Sequence, residues 1–516
     1  MSFFKKQLPL IIILCLLCAC KAKNIKYKET FHFTKKPGNI YFTILQINDV
    51  YEIAPIQANK FGGMARVETI HQELLKENPN TMLVLAGDFL NPSLLGTMKF
   101  EGERVRGKQM IEVMNAMNFE LVAFGNHEFD LSYSNLQDRL NESDFEWISS
   151  NVFHNRGGEN HFFHKVINGK KEVVNETYTK EFTVNGKTLK LGFISVCIPS
   201  NPKSYVSYSD MYVEAERTFK ELQPKVDFIL GLTHVKVAQD REIAKLLPEI
   251  PLIMGGHEHT NKYEKVGKTV ISKADANVKT VYIHRFQYDP NTDKLEFKSE
   301  LKTIDEKIPS DPKVGSIVAK WQNLLRVKIK DIIDKPDEIV YKTKVALDAR
   351  DTPIRSVQTN MGEIIAEAMS FAYNDTIDAA FVNGGSIRID DKLKGNITAT
   401  DIFRVLPYGG KVIKVKMKGS LLIRILDFGE KASGTGAYLQ RFNLKKTDKG
   451  EWLIKNSTIE KESIYTIATS DYLLKGYDIP FLNEKNKDIL NVYSPSKNEL
   501  SSDVRKSVIQ FFKAEK

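Results

Sequence analysis

Five short apolar runs in the first half of the chain stop abruptly and then present an aspartate, asparagine or histidine: YFTILQINDV, TMLVLAGDF, ELVAFGNHEFD, DFILGLTHV and PLIMGGHEHT. Apolar runs of this length read as buried strands, and the segments between them supply helices. GGMARVETIHQELLKEN sets Val67, Ile70 and Leu74 on one face, and GKQMIEVMNAMN has a similar pattern. Alternation of this kind builds stacked α/β layers. In such folds, functional side chains gather beyond the carboxyl ends of the strands, where loops converge. Asp49, Asp88, Asn126, His127, His234, His257 and His259 all fall there, beside Gly87, Gly125, Gly255 and Gly256, which permit tight turns.

Taken singly, a Gly-Asp or a Thr-His is an ordinary turn or a hydrogen-bonded polar residue. GNHEFD and GHEH carry more weight, because imidazoles crowded beside glycines are rare without metal. Carboxylates, an amide and imidazoles together suit two divalent metal ions, and do not distinguish manganese, zinc, magnesium, cobalt and iron. Such a pair lowers the pKa of a bound water and neutralises charge in a phosphoryl-transfer transition state.

A chain of 516 residues exceeds what one hydrophobic core organises, so two or more domains are expected. DPKVGSIVAKWQNLLRVKIKDII has helical periodicity and few breakers, which reads as a helix between them. The net charge of +9 comes from scattered lysines. That favours anionic ligands in a general way. With no helix-turn-helix signature or aromatic-interleaved basic motif, nothing points to binding of a nucleic-acid duplex.

The N-terminus, MSFFKKQLPLIIILCLLCAC, has a basic start and an apolar run too short to span a membrane comfortably, which fits the core of a signal peptide. Leu17-Cys18-Ala19-Cys20 resembles the bacterial lipoprotein processing box, which implies cleavage before Cys20 and a lipid anchor on that cysteine. Residues 1–19 are then the signal peptide and 20–38 a polar tether. The expected location is the cell envelope, on the periplasmic or cell-surface side, with the membrane contacted through the lipid. Only Cys20 and Cys197 would remain in the mature chain, and Cys197, in the apolar LGFISVCIP, reads as a packing residue.

From about Tyr41 to Phe481 the chain resembles the secreted 5′-nucleotidases of the metallophosphoesterase superfamily. The resemblance implies a four-layer α/β/β/α catalytic domain over residues 39–308. A linker helix within 309–339 would join it to an α/β substrate-binding domain over 340–516. It further implies that Asp49, Asp88 and His259 hold one ion, with Tyr51 standing where the family has histidine. Asp88 would bridge to a second ion held also by Asn126, His234 and His257. His127, oriented by Asp130, would serve the transition state or leaving group. Tyr51 keeps the spacing of the usual ligand, so its phenol either binds the first ion or hydrogen-bonds to a water on it.

In the second half, RSVQTNMGEIIAEAM and FVNGGSIR place Arg355, Asn383, Gly385 and Arg388 near helix and strand ends. By the resemblance the arginines grip phosphate and ribose-side groups, for which guanidinium forks are suited. Tyr408 in VLPYGG and Tyr472 in TSDYLLKGYD stand where the family sandwiches a base between two rings, and Asp478 contacts the nucleoside. Tyr477 replaces a usual glycine. The expected activity is release of phosphate from nucleotides. UDP-sugars, dinucleotides and 2′,3′-cyclic nucleotides are alternative substrates, and a nucleotide-binding lipoprotein with a degenerate metal site is the non-enzymatic alternative.

Overall fold

The computed structural model describes residues 32–200, 203–374 and 376–515, so the signal segment and Cys20 lie outside the described residues. Strands Ile40–Ile47, Thr81–Ala86, Leu121–Ala123 and Glu146–Ile148 run parallel, side by side. The antiparallel strands Thr280–Asp289 and Lys294–Thr303 complete this six-stranded sheet. A second six-stranded sheet has Lys187–Ile194, Phe228–Thr233, Leu252–Gly255 and Thr269–Lys273 in parallel, with Thr177–Val184 and Lys262–Val266 as antiparallel edges.

The two sheets bury one another. Phe42, Ile44, Val84 and Leu121 of the first meet Leu189, Phe193, Leu230 and Met254 of the second in one buried cluster. Successive side chains of a strand point to opposite faces. Leu45, Leu83, Leu85 and Val122 therefore turn outward, towards helices Met64–Glu77 and Lys108–Ala116. Ile229, Ile253 and Ile271 likewise face helices Met211–Leu222 and Val237–Leu246. This is the four-layer α/β/β/α arrangement expected from the sequence, and it explains why the central strands carry no polar alternation.

Helix Pro312–Lys330 follows. The Asp311 side chain caps it by accepting the Val314 N–H at 2.9 Å, and Pro312 takes the first turn, where its missing N–H costs nothing. Val314, Val318, Trp321, Leu325 and Ile329 form its buried stripe, and Trp321 Nε1 donates to Glu112 at 2.9 Å. Beyond it, a five-stranded sheet runs in the order Leu439–Phe442, Ala379–Asn383, Ile464–Ser470, Val412–Lys418, Ile489–Tyr493. Ala380 and Val382 pack in the cluster holding helix Asn360–Phe371, while Ala379 and Phe381 pack in the one holding helix Gly419–Lys431.

The C-terminal sheet and its helices are tied to the catalytic side by charge as well as apolar contact. Arg404 Nε donates to Glu52 at 3.0 Å, with both side chains under a tenth exposed, and Arg404 Nη1 donates to Asp401 at 3.0 Å. Lys279 reaches Asp391 at 2.9 Å. Removing one partner of a buried pair leaves the other charge uncompensated, at a cost of about 3–5 kcal/mol. Arg404→Met is expected to lower stability by about that amount in urea unfolding; a loss no larger than that of an exposed lysine substitution would contradict the contact.

Candidate active site

The strand ends place the site. Asp49 and Asp88 lie just past Ile47 and Ala86, His234 follows Thr233, and His257 and His259 follow Gly255. Their donor atoms fall into two clusters, Asp49–Asp88–His259 and Asp88–His234–His257, each within 4.8 Å throughout. Asp88 belongs to both. Backbone φ at Asp49 (53°), Asp88 (61°), His257 (87°) and His259 (57°) is left-handed, a conformation non-glycine residues adopt at a cost and keep where function requires it. Close approach also explains the glycines: a Cβ on Gly125 would lie 2.1 Å from Asp88 Oδ1, and one on Gly256 would lie 2.3 Å from the Ala86 carbonyl.

Two of the imidazoles are aimed by a bond on their far side. His234 Nδ1 donates to the Ala86 carbonyl at 2.7 Å, leaving Nε2 towards the cluster, 3.0 Å from Asp88 Oδ2. His259 Nδ1 donates to the Asp390 carbonyl at 2.5 Å, and its Nε2 lies 3.2 Å from Asp49 Oδ1. Such outer contacts fix the imidazole orientation that a metal needs. The Asp49 carboxylate accepts from Asn48 Nδ2 at 2.7 Å and from the His257 N–H at 2.9 Å.

The donor set calls for cations. Burial opposes a charged His259, yet Asp390 and Asp49 outweigh it and push its pKa up to about 10. Against the same opposition, Asp88 pushes His234 up to about 9. Burial and the neighbouring His234 push His257 down to about 3. Asn126 Oδ1 is buried with no hydrogen-bond donor. Buried carboxylates seeking positive charge, imidazoles turned inward and an orphaned amide oxygen fit divalent ions.

Tyr51 occupies the place its spacing assigns. It is 2% exposed, its hydroxyl donates to Asp88 Oδ2 at 3.3 Å, and its oxygen lies 2.9 Å from His259 Nε2. Burial, followed by Asp88 and Asp49, raises its pKa well above the ordinary phenol value. His127 Nδ1 lies 2.8 Å from Asp130 Oδ2, and the His127 N–H donates to Asp88 Oδ1 at 2.8 Å. Burial disfavours the imidazolium of His127, but Asp88 and Asp130 raise its pKa well above the usual histidine range.

The structure brings the residues singled out in the second half to the same cleft. Arg388 Nη2 donates to Asp130 Oδ2 at 3.2 Å, and Arg355 pairs with Asp351 at 2.8 Å while its Nε is buried without a partner. Gly385, Arg355, Arg388 and Tyr408 line one cavity with Asp130. Asn383 Nδ2 and the Tyr472 hydroxyl both donate to the Asp478 carboxylate, at 2.7 and 2.8 Å. Tyr408 and Tyr472 are 57% and 40% exposed, which leaves ring faces free. Tyr477 stands 5.4 Å from Tyr472, ring centre to ring centre.

Three residues escaped the sequence reading. Glu128, inside GNHEFD, accepts the N–H groups of Asp88, Phe89, Leu90 and Gly125 at 2.7–3.1 Å and so ties two ligand loops together. Lys273 is buried against Asp240 and Glu258 and donates to the Gly256 carbonyl at 2.8 Å. Asp390, from the C-terminal part, places a carboxylate oxygen 3.6 Å from His127 Nε2 and 3.4 Å from His259 Nε2. For Glu128 and Asp390 a signal existed, proximity to His127 and to Arg388; for Lys273 none did.

Residues 42–261 match the family model of calcineurin-like phosphoesterases, and residues 339–484 match the 5′-nucleotidase C-terminal domain. A human 5′-nucleotidase is 26% identical over 447 residues, covering 77% of this chain and 74% of its own length. A trifunctional nucleotide phosphoesterase of Bacillus subtilis is 26% identical over 453 residues, covering 80% of this chain, which spans only 29% of that protein. The crystal structure of a 5′-nucleotidase precursor from Thermus thermophilus superposes with a TM-score of 0.64 at 21% identity, over 92% of this chain and 97% of that one. The chain therefore carries a calcineurin-like phosphoesterase domain, of a family of hydrolases that use divalent metals. Its C-terminal domain makes it one of the 5′-nucleotidase type.

Replacing Tyr51 by phenylalanine removes one oxygen from the Asp49–Asp88–His259 cluster and leaves the ring in place. Tyr51→Phe is expected to weaken binding of one metal ion about tenfold or more, read by calorimetric titration with manganese. Unchanged affinity at both positions would show that the hydroxyl only packs.

Proposed function

We propose that this chain is an extracytoplasmic phosphohydrolase that releases phosphate from nucleotides with two divalent ions at the strand ends. Asp49, Tyr51, Asp88 and His259 would hold one ion, and Asp88, Asn126, His234 and His257 the other. When bound, the ions supply a nucleophilic water and neutralise phosphoryl charge. The observation that carries this reading is the membership of Asp88 in two donor clusters, with the His127–Asp130 pair beside it.

The chain's own groups account for the remaining steps. Asp130 holds His127 Nδ1 and the Asp390 carboxylate lies 3.6 Å from Nε2, an arrangement that would keep a proton available for charge developing on the leaving oxygen. Arg388 and Arg355 line the cavity that begins at Asp130, where they would hold phosphate oxygens. The exposed faces of Tyr408 and Tyr472 would stack on the base, and Asp478 would meet the nucleoside. Cys20 would carry the lipid that holds the enzyme at the cell envelope. Among the described residues no helix is long and apolar enough to cross a membrane.

A panel of nucleoside monophosphates, UDP-glucose and cyclic nucleotides, assayed for phosphate release with several divalent metals, tests the reading. His127→Ala is expected to retain metal and lose about a hundredfold or more in kcat. Tyr408→Ala and Tyr472→Ala should raise KM for nucleotides and spare a small artificial phosphate ester. No release from any ester with any metal would overturn the proposal. Cys20→Ser should shift the protein from the membrane to the soluble fraction of cells; continued membrane association would remove the anchor from the account.

A further inference from the structure

A lysine withdrawn entirely from water is uncommon, and its charge must be paired there. Lys273 ends strand Thr269–Lys273, is 0% exposed, and lies opposite Gly255 of the neighbouring parallel strand. A Cβ on Gly255 would stand 2.8 Å from Lys273 Cε, so the glycine leaves the room that the lysine chain fills. Burial opposes the charge of Lys273, yet Asp240 and Glu258 outweigh it and raise its pKa.

The ammonium does more than meet its counter-charges. Nζ donates to the Val235 carbonyl at 2.6 Å and to the Gly256 carbonyl at 2.8 Å. Val235 follows His234 and Gly256 precedes His257, so one group grips both loops that deliver imidazoles to the Asp88–His234–His257 cluster. Asp240, 2.7 Å from Nζ, accepts the Thr233 hydroxyl at 2.7 Å and ties the residue before His234 to the same centre. Nζ also donates to Glu258, the residue after His257, at 2.5 Å. His257 depends on this grip more than the other histidines do. The rings of His234 and His259 are each bonded to a carbonyl through Nδ1, whereas the His257 ring has no hydrogen-bond partner among the described residues. Its place comes from its backbone: a left-handed φ of 87°, an N–H donating to the Asp49 carboxylate at 2.9 Å, and a preceding carbonyl held by Lys273.

We propose that Lys273 is the positioning residue of one ion site: it sets the separation of His234 and His257, whose ring centres stand 5.4 Å apart, and with it the affinity of the Asp88–His234–His257 cluster for its ion. This rests on the reading that both clusters hold divalent ions. The Asp49–Asp88–His259 cluster is held by other bonds. The Asp49 N–H donates to the Gly87 carbonyl at 3.0 Å, and the Ala276 N–H donates to the His259 carbonyl at 3.1 Å. His259 Nδ1 is bonded to the Asp390 carbonyl. Loss of the ammonium therefore unbalances the two sites and does not abolish both.

The test titrates the full chain with cobalt and reads uptake and spectrum, not turnover. Lys273→Met should weaken one ion about tenfold or more and leave the other within about twofold. In the proton NMR spectrum of the cobalt-loaded variant, the metal-shifted ring resonances of His234 and His257 should fade while those of His259 persist. Lys273→Met leaves Asp240 buried without its counter-charge, so the double variant with Asp240→Asn guards against a folding defect and should show the same selective loss. Asp240→Asn alone keeps the ammonium on both carbonyls and should bind both ions nearly as the wild type does. Equal weakening of the two sites, unchanged binding in Lys273→Met, or recovery of the ion in the double variant overturns the proposal and leaves the metal reading standing. A wild-type protein that takes up no cobalt overturns the metal reading and the proposal with it.

Discussion

One carboxylate governs the geometry of this molecule's site. Asp88 supplies oxygen to both donor clusters, and its conformation is fixed from every side. Its backbone is left-handed, its own N–H is spoken for by Glu128, its Oδ1 accepts the His127 N–H, and its carboxylate leaves no room for a Cβ on Gly125. These constraints come from strand ends separated by long stretches of sequence. They persist only because the two sheets bury each other and hold the ends of their parallel strands at one edge. A residue placed this tightly transmits any displacement to both clusters and to His127.

The site is composite. Asp390 touches His127 and His259 from the C-terminal part, Arg388 reaches Asp130, and the buried Arg404–Glu52 pair and Lys279–Asp391 lie alongside. Neither half of the chain completes the cleft alone: one contributes the two donor clusters that could hold metal, the other most of the groups suited to hold a nucleotide.

Much of this was legible in the sequence because it is local. Apolar runs with no polar alternation announce strands covered on both sides, and a polar residue just past such a run announces a site at the sheet edge, as Asp49, Asp88 and His234 show. Helix Pro312–Lys330 was readable from its Asp-Pro start and its stripe of apolar residues. The support of the site was not readable, because it depends on contacts between distant segments. Lys273 lies on a strand and looks like any lysine until the fold closes Asp240 and Glu258 around it. Asp390 belongs to an Asp-Asp pair whose two members take different jobs, Asp391 pairing with Lys279 and Asp390 entering the site.

The bond from His259 Nδ1 to the Asp390 carbonyl joins two equilibria. Nδ1 of that imidazole belongs to the contact between the halves of the chain, and Nε2 lies between the donor cluster and the Asp390 carboxylate. Coupling between binding events is reciprocal by thermodynamic necessity. If seating of the C-terminal part on His259 favours an ion at Nε2, an ion bound there favours that seating by the same free energy. In that case scarcity of metal would be felt as a loosening between the two halves of the enzyme, and a ligand that tightened the seating would help the protein keep the ion.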